Sequence, residues 1–341
     1  MAVACGIPRI DALFAGQGAA PISQGDADRE AVGVLQDFLA CQGFTGMPGL
    51  LSSQRGLFGP ITRQSVAAFQ GARGIPATGS VDSPTLLSLV QTPAPSPVIA
   101  QGYVTLVLDV LYEGMTRLVG LTSQFEGAGR FGAANLNKDK CGLSFGLIQW
   151  SQKPGRLTEI LEAFRDAERE RFVEIFGNAD AGLADALVAH TQRQRGGTNN
   201  IGETTDTRFD LVRSPWKERF QRAARDRALQ KVQLATARSD FAASLAKLRA
   251  YCPEAATERG AAFMLDAANQ HGDAGARAIY TAVTAGQPQR SPAQVLLAVE
   301  EESVRRVMAQ YGAGSNEERS TQRRRSDFRT SALLSDSPLP I

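Results

Sequence analysis

Two carboxylates frame the most informative stretch of this sequence. Glu126 follows an apolar helix-like run, Asp139 lies thirteen residues further on, and GLSFGLIQW (142–150) closes the segment. Leu118, Leu121 and Phe125 recur at helical spacing, and Gly127 and Gly129 are stop signals, so Glu126 is expected at a helix C-terminus. The helix dipole disfavours negative charge there, and an apolar neighbour such as Phe125 adds desolvation. Both effects raise a carboxyl pKa, which suits a general acid. Asp139, in a polar loop between Lys138 and Lys140, is expected to stay ionised. One carboxyl in apolar surroundings and one in wet surroundings form the acid/base pair that cleaves glycosidic bonds. The competing reading of Glu126 is a solvated side chain at a fraying helix end.

GLSFGLIQW reads as a short strand or hairpin. Its glycines, Gly142 and Gly146, allow close approach of a ligand or of another backbone segment. Alternation puts Ser144, Gly146 and Ile148 on one face and Leu143, Phe145, Leu147 and Gln149 on the other. If Asp139 does not serve, Ser144 and Gln149 are the groups left to position a water. Gln149, Asn269 and Gln270 are candidate sugar hydrogen-bonders, with bracing of the fold as the alternative. His271, before Gly272 at an expected helix end, is either a substrate contact or a cap, and Trp150 is a stacking platform or core. Pairing Cys141 with His271 would describe a cysteine peptidase. However, Cys141 precedes a strand-like run rather than a helix N-terminus, which would lower its pKa. The run Arg323-Arg324-Arg325 reads as a contact for anionic polymer or as a solvated face. Glu203 and Asp206, in the loop-like stretch 196–207, read as solvated.

The elements that must position these groups fall into two sets. From Asp28, a helix cap, Val34, Leu35, Phe38 and Leu39 form one apolar stripe. Thr62 is expected to cap a second helix carrying Val66 and Phe69. Ser83 is expected to cap a third, with Pro84 as its first residue and Leu86, Leu87 and Val90 along it. Residues 1–25 read as a loose lead-in or a short packed arm. The Pro-rich run 92–97 reads as an extended tether, placing the division at 26–92, a linker over 93–102, and a second domain over 103–341. That second domain opens with the helical spacing of Leu106, Val107, Val110 and Leu111.

At 341 residues two domains are expected, and 43% hydrophobic with 21% charged residues suffices for two cores. A net charge of +2 gives no argument for nucleic acid. Four scattered cysteines and two histidines form no metal-site pattern, so neither metal nor cofactor is expected. No apolar run is long enough for membrane insertion. The N-terminus, broken by Pro8, Arg9 and Asp11, is a poor secretory signal, so export would need another route.

Residues 26–92 resemble the peptidoglycan-binding domain found beside many cell-wall hydrolases. The landmarks are Leu35-Gln36, Leu39, Gly43, Gly56, Phe58-Gly59, Thr62, Ser65-Val66, Phe69-Gln70, Gly74, Gly79, Val81, Thr85 and Leu89. The stretch TGMPGLLSSQR is longer than the family's usual loop. Residues 103–335 resemble the chitosanase branch of the lysozyme-like glycoside hydrolases. Glu126, Asp139 and the Gly142-x-Ser144-x-Gly146 strand carry that likeness, together with ALQKVQLATARSDF, GAAFMLDAANQHGDAG and ERSTQRRRSDF. The two resemblances imply a mainly α protein: a small three-helix peptidoglycan-binding bundle and a lysozyme-like α+β catalytic domain with a short β-hairpin. They imply hydrolysis of β-1,4 bonds in peptidoglycan glycan strands, with Glu126 as general acid, Asp139 as base and inversion. Chitosan cleavage and non-catalytic wall binding are the alternatives, and the lysines beside Asp139 argue against a cationic substrate. A phage lysin, a secreted effector with an immunity protein or secretion-apparatus partner, and a host wall enzyme all fit. Each would be made in the cytoplasm and act in the periplasm or wall.

Overall fold

A computed structural model of the chain describes residues 7–48, 52–92, 115–127, 129–136, 141–153, 155–194, 207–287, 290–331 and 334–339. The fold is mainly α: the described residues hold thirteen α-helices and one three-stranded antiparallel sheet. Their buried apolar side chains form two separate clusters, one within 7–89 and one within 118–339. The Pro-rich run beyond Thr92 and the start of the second domain lie outside the described residues.

In the N-terminal unit, α1 spans Pro8–Phe14, α2 Arg29–Cys41, α3 Pro60–Ala72 and α4 Ser83–Gln91. Asp28 caps α2 by accepting the Ala31 N–H at 3.0 Å, and Val34, Leu35, Phe38 and Leu39 are all buried. The caps of the other two helices differ from the sequence expectation. Gly59 precedes α3, with Pro60 opening it, and Thr62 is buried inside the first turn. Asp82 caps α4 through the Thr85 N–H at 3.0 Å, while Ser83 is the first helical residue and its hydroxyl reaches Leu13 O. An aspartate before Ser-Pro takes the cap because its carboxylate, one residue further out, is the one facing the orphan donor.

The two glutamines of the N-terminal landmarks each tie down a loop. Gln36 accepts the Gly56 N–H at 2.9 Å and donates to Leu57 O at 3.0 Å and Thr62 Oγ1 at 3.2 Å. Gln70 accepts the Gly79 N–H at 2.9 Å and donates to Ser80 O at 2.8 Å and Thr85 Oγ1 at 3.0 Å. Gly56 is required in its loop: its φ is +80°, and a Cβ there would fall 2.4 Å from Arg29 O. The segment before α2 is packed, because Ile7, Ile10, Leu13 and Ile22 are buried in the same cluster as α2 to α4. Ile22 pairs antiparallel with Val81, and Arg9 bonds Asp26 at 2.7 Å.

The second unit holds α5 Met115–Gly127, α6 Arg156–Ala167, α7 Arg169–Phe172, α8 Ala181–Gln194 and α9 Trp216–Ala223. It continues with α10 Arg227–Arg249, α11 Glu258–Thr284, α12 Pro292–Tyr311 and α13 Asn316–Thr330. The sheet is β1 Ala134–Leu136, β2 Leu143–Phe145 and β3 Trp150–Ser151, in that order, with Ala134 opposite Phe145 and Phe145 opposite Trp150. The strand in GLSFGLIQW therefore stops at Phe145. Gly146–Gln149 is a turn, with Gly146 at φ +85° and Gln149 at φ +54°. The expected alternation of faces fails beyond residue 145 because the chain reverses there.

Gln233 of α10 locks this turn, accepting the Leu147 N–H at 3.1 Å and donating to Phe131 O at 3.0 Å. A Cβ on Gly146 would lie 2.6 Å from Gln233 Oε1, so the glycine admits the glutamine side chain. Arg259 of α11 gathers the carbonyls of Arg329, Ser331 and Leu334 at 3.1, 2.8 and 2.6 Å, holding the end of α13 against α11. In Gln70→Leu, the Gly79 N–H and the Ser80 carbonyl lose their partner. The N-terminal unit should lose about 2 kcal/mol, read as a lower urea midpoint for that unit.

Candidate functional site: a clamped carboxylate

Glu126 sits one residue before the end of α5, and just beyond it the Gly129 N–H bonds back to Ser123 O at 3.0 Å. Its surroundings are not apolar, as expected from sequence, but polar and cationic. Oε1 accepts from Arg324 of α13 at 2.8 Å and from Asn269 of α11 at 2.9 Å. Both bonds fall on the same oxygen, and no described residue bonds Oε2. The side chain keeps 20% of its exposure, so Oε2 is the atom left for a ligand or a proton.

Arg324 is held from three directions. Its Nε donates to Asp266 Oδ2 at 2.9 Å, its guanidinium lies 5.2 Å from the Phe125 ring centroid, and Phe125 packs on Phe328 at 5.4 Å. Asp266 is fully buried and also bonds Arg325, which is fully buried. Burial pushes the Arg325 guanidinium down to about 9, while the charge of Glu126 acts in the opposite direction. It remains a cation at neutral pH. The Asp266 carboxylate lies between the two guanidinium groups, and Arg324 turns a further N–H toward Glu126.

The arginine run is therefore neither a polymer contact nor a solvated face: Arg324 and Arg325 are buried, and only Arg323 is exposed. Thr321, Arg324, Arg325 and Phe328 are the buried stripe of α13, at i, i+3, i+4 and i+7. That period was readable in the sequence, and it is the signal that would have found Arg324.

Of the other candidates, Asn269 joins Glu126 directly. Gln270 is spent on bracing, accepting from Arg325 at 2.8 Å and donating to Thr321 at 2.6 Å. Ser144 is buried and its hydroxyl pairs with that of Ser151 across the sheet at 2.8 Å. The Gln149 amide N–H groups go to Ala133 O at 3.0 Å and Gly146 O at 3.1 Å, bracing the turn. Trp150 is core, at 2% exposure. His271 ends the first half of α11, where Gly272 breaks the helix at φ +73°. Its Nε2 is buried without a partner, and burial, then Arg324 and Arg306, lower its pKa. Asp139, Glu203 and Asp206 lie outside the described residues. Among the described residues no group of side chains has the makings of a metal site, and no helix is long and apolar enough to cross a membrane.

The N-terminal unit is a small helical module pinned by two buried glutamines. A family model described as a putative peptidoglycan binding domain matches residues 28–89, which makes this unit a peptidoglycan-binding domain and associates the chain with cell wall. No curated protein matches the chain.

Two outcomes test the cluster. Asp266→Asn leaves two buried cations short of a counter-charge and should cost about 3–5 kcal/mol in denaturant unfolding. His271 is neutral in the fold because its pKa is lowered from 6.5, so the unfolded chain takes up the proton first. Its contribution to stability is full above pH 6.5 and is lost as pH falls through the folded value. His271→Gln should flatten the fall in stability below that pH.

Proposed function

We propose that the chain is a wall-targeted glycoside hydrolase in which Glu126 protonates the bridging oxygen of a β-1,4 bond in peptidoglycan glycan strands. The observation that carries this reading is the clamp on Oε1. Two donors fix the carboxyl plane and leave Oε2 to carry the proton. As that proton leaves, negative charge grows on a group already bonded to Arg324. The stabilisation therefore increases along the reaction, which is what lowers a barrier. Arg324 is rigid because Asp266 and Phe125 hold it, so little reorganisation is needed at that moment. Asp139 would activate water on the opposite face of the sugar, giving inversion. Ser144 and the Gln149 N–H groups are bonded within the sheet and its turn, so neither favours the substitute role.

The peptidoglycan-binding domain supports the choice of polymer: a module that holds the wall raises the local concentration of glycan for a second module on the same chain. The same domain is equally suited to a non-catalytic wall binder, so the experiment must separate the two. Purified wall is digested with wild type and with Glu126→Gln, and the products are read by mass spectrometry. New reducing-end saccharides are expected from wild type, with a rate lower by about 10²–10⁴ for the variant. Clearing by both forms removes Glu126 from the reaction, and no product from wild type leaves the binder. Asn269 is exposed, so Asn269→Ala should fold normally and lower kcat by about tenfold with KM little changed.

A further inference from the structure

One turn from the clamp a cavity of about 340 Å³ opens between the break in α11, the end of α12 and the start of α13. His271 lines it from α11, Val307, Gln310 and Tyr311 from α12, and Glu317 and Ser320 from α13. Ser320 and Glu317 stand four and seven residues before Arg324, on the same face of α13. With a rise of 1.5 Å per residue, the cavity begins about 6 Å along that helix from the group that holds Glu126. Tyr311 is 54% exposed, so its ring face is open to the cavity it lines. Among the described residues nothing bonds the Tyr311 hydroxyl, the Gln310 amide, the Glu317 carboxylate or the Ser320 hydroxyl. His271 Nε2 is likewise without a partner, although it is buried.

A half-exposed aromatic ring beside five unpaired hydrogen-bonding groups is the lining of a site for a polyhydroxylated ligand. No lysine or arginine lines it, so an anion has nothing to pair with there. The one charged side chain in the lining is the Glu317 carboxylate, which accepts hydrogen bonds from sugar hydroxyl groups. We propose that this cavity is a saccharide subsite for a neutral, N-acylated amino sugar of the same glycan that Glu126 addresses. The Tyr311 ring lies against the apolar C–H face of the pyranose. Gln310, Glu317 and Ser320 bond its substituents, beside the His271 ring. The assignment rests on the proposed hydrolysis of glycan strands, and it makes Tyr311 the stacking platform of the subsite.

The sequence has only two histidines, His190 and His271, and the peptidoglycan-binding domain has neither. Side-chain NMR of the full-length Glu126→Gln protein therefore reports on this cavity without interference from that domain. A peptide-free tetrasaccharide of alternating N-acetylglucosamine and N-acetylmuramic acid is titrated in. The His271 signals should shift while those of His190 stay fixed. Tyr311→Ala in the same background should raise the half-saturation concentration by about tenfold. Unmoved His271 signals or an unchanged titration in the Tyr311 variant each overturns the subsite. Hydrolysis by wild type with unmoved His271 sinks the subsite and spares the hydrolase. A shifted His271 with no hydrolysis does the reverse.

Discussion

A carboxylate with no access to water, Asp266, is the constraint around which the second unit is arranged. An ionised side chain in that position is tolerable only with counter-charges at hydrogen-bonding distance, and α13 supplies two guanidinium groups. Meeting that demand fixes how α13 lies against α11, because Arg324 and Arg325 must both reach the same residue. It also determines which remaining N–H of Arg324 points outward, and Glu126 takes it. A lysine in place of Arg324 would serve Asp266 as a charge, but has no planar fork to serve both carboxylates at set angles. The catalytic candidate is positioned by the needs of a residue deeper in the fold.

The two units use amides in one way and charges in another. Gln36, Gln70 and Gln233 are all buried, and each returns a loop or turn to a helix through both ends of its amide. A neutral group that both donates and accepts can satisfy backbone atoms of either kind, so it suits the task of closing loops. Charged groups are buried together near Glu126, where direction and strength matter more than versatility. In the N-terminal unit most family landmarks are thereby explained as scaffold. The wall-facing surface has to be built from what lies between them.

The helices of the N-terminal unit were legible because apolar period, a cap aspartate and turn glycines agreed with one another. Their exact starts were not: Thr62 and Ser83 both lie one or more positions inside the helix, displaced by Gly59 and Asp82. Glu126 at a helix end could be read from Gly127 and Gly129. Its partners could not, because ion pairs spanning the chain leave no trace in local pattern. The arginine run misled for a different reason. Three adjacent cations suggest a surface, yet helical geometry divides them between a buried stripe and solvent. In GLSFGLIQW the hairpin was one of two readings of the sequence, and the positive φ of Gly146 and Gln149 folds the segment back in that way.

Glu126 and Arg324 are separated by 198 positions along the chain. During synthesis the carboxylate emerges long before the helix that completes its setting. A polypeptide cut short ahead of α13 would retain the module that grips the wall and the side chain nominated for chemistry, but not the geometry joining it to a cation. The pairing is thereby completed last, by the arrival of a distant segment, and partial products of translation or proteolysis would keep the peptidoglycan-binding domain without it.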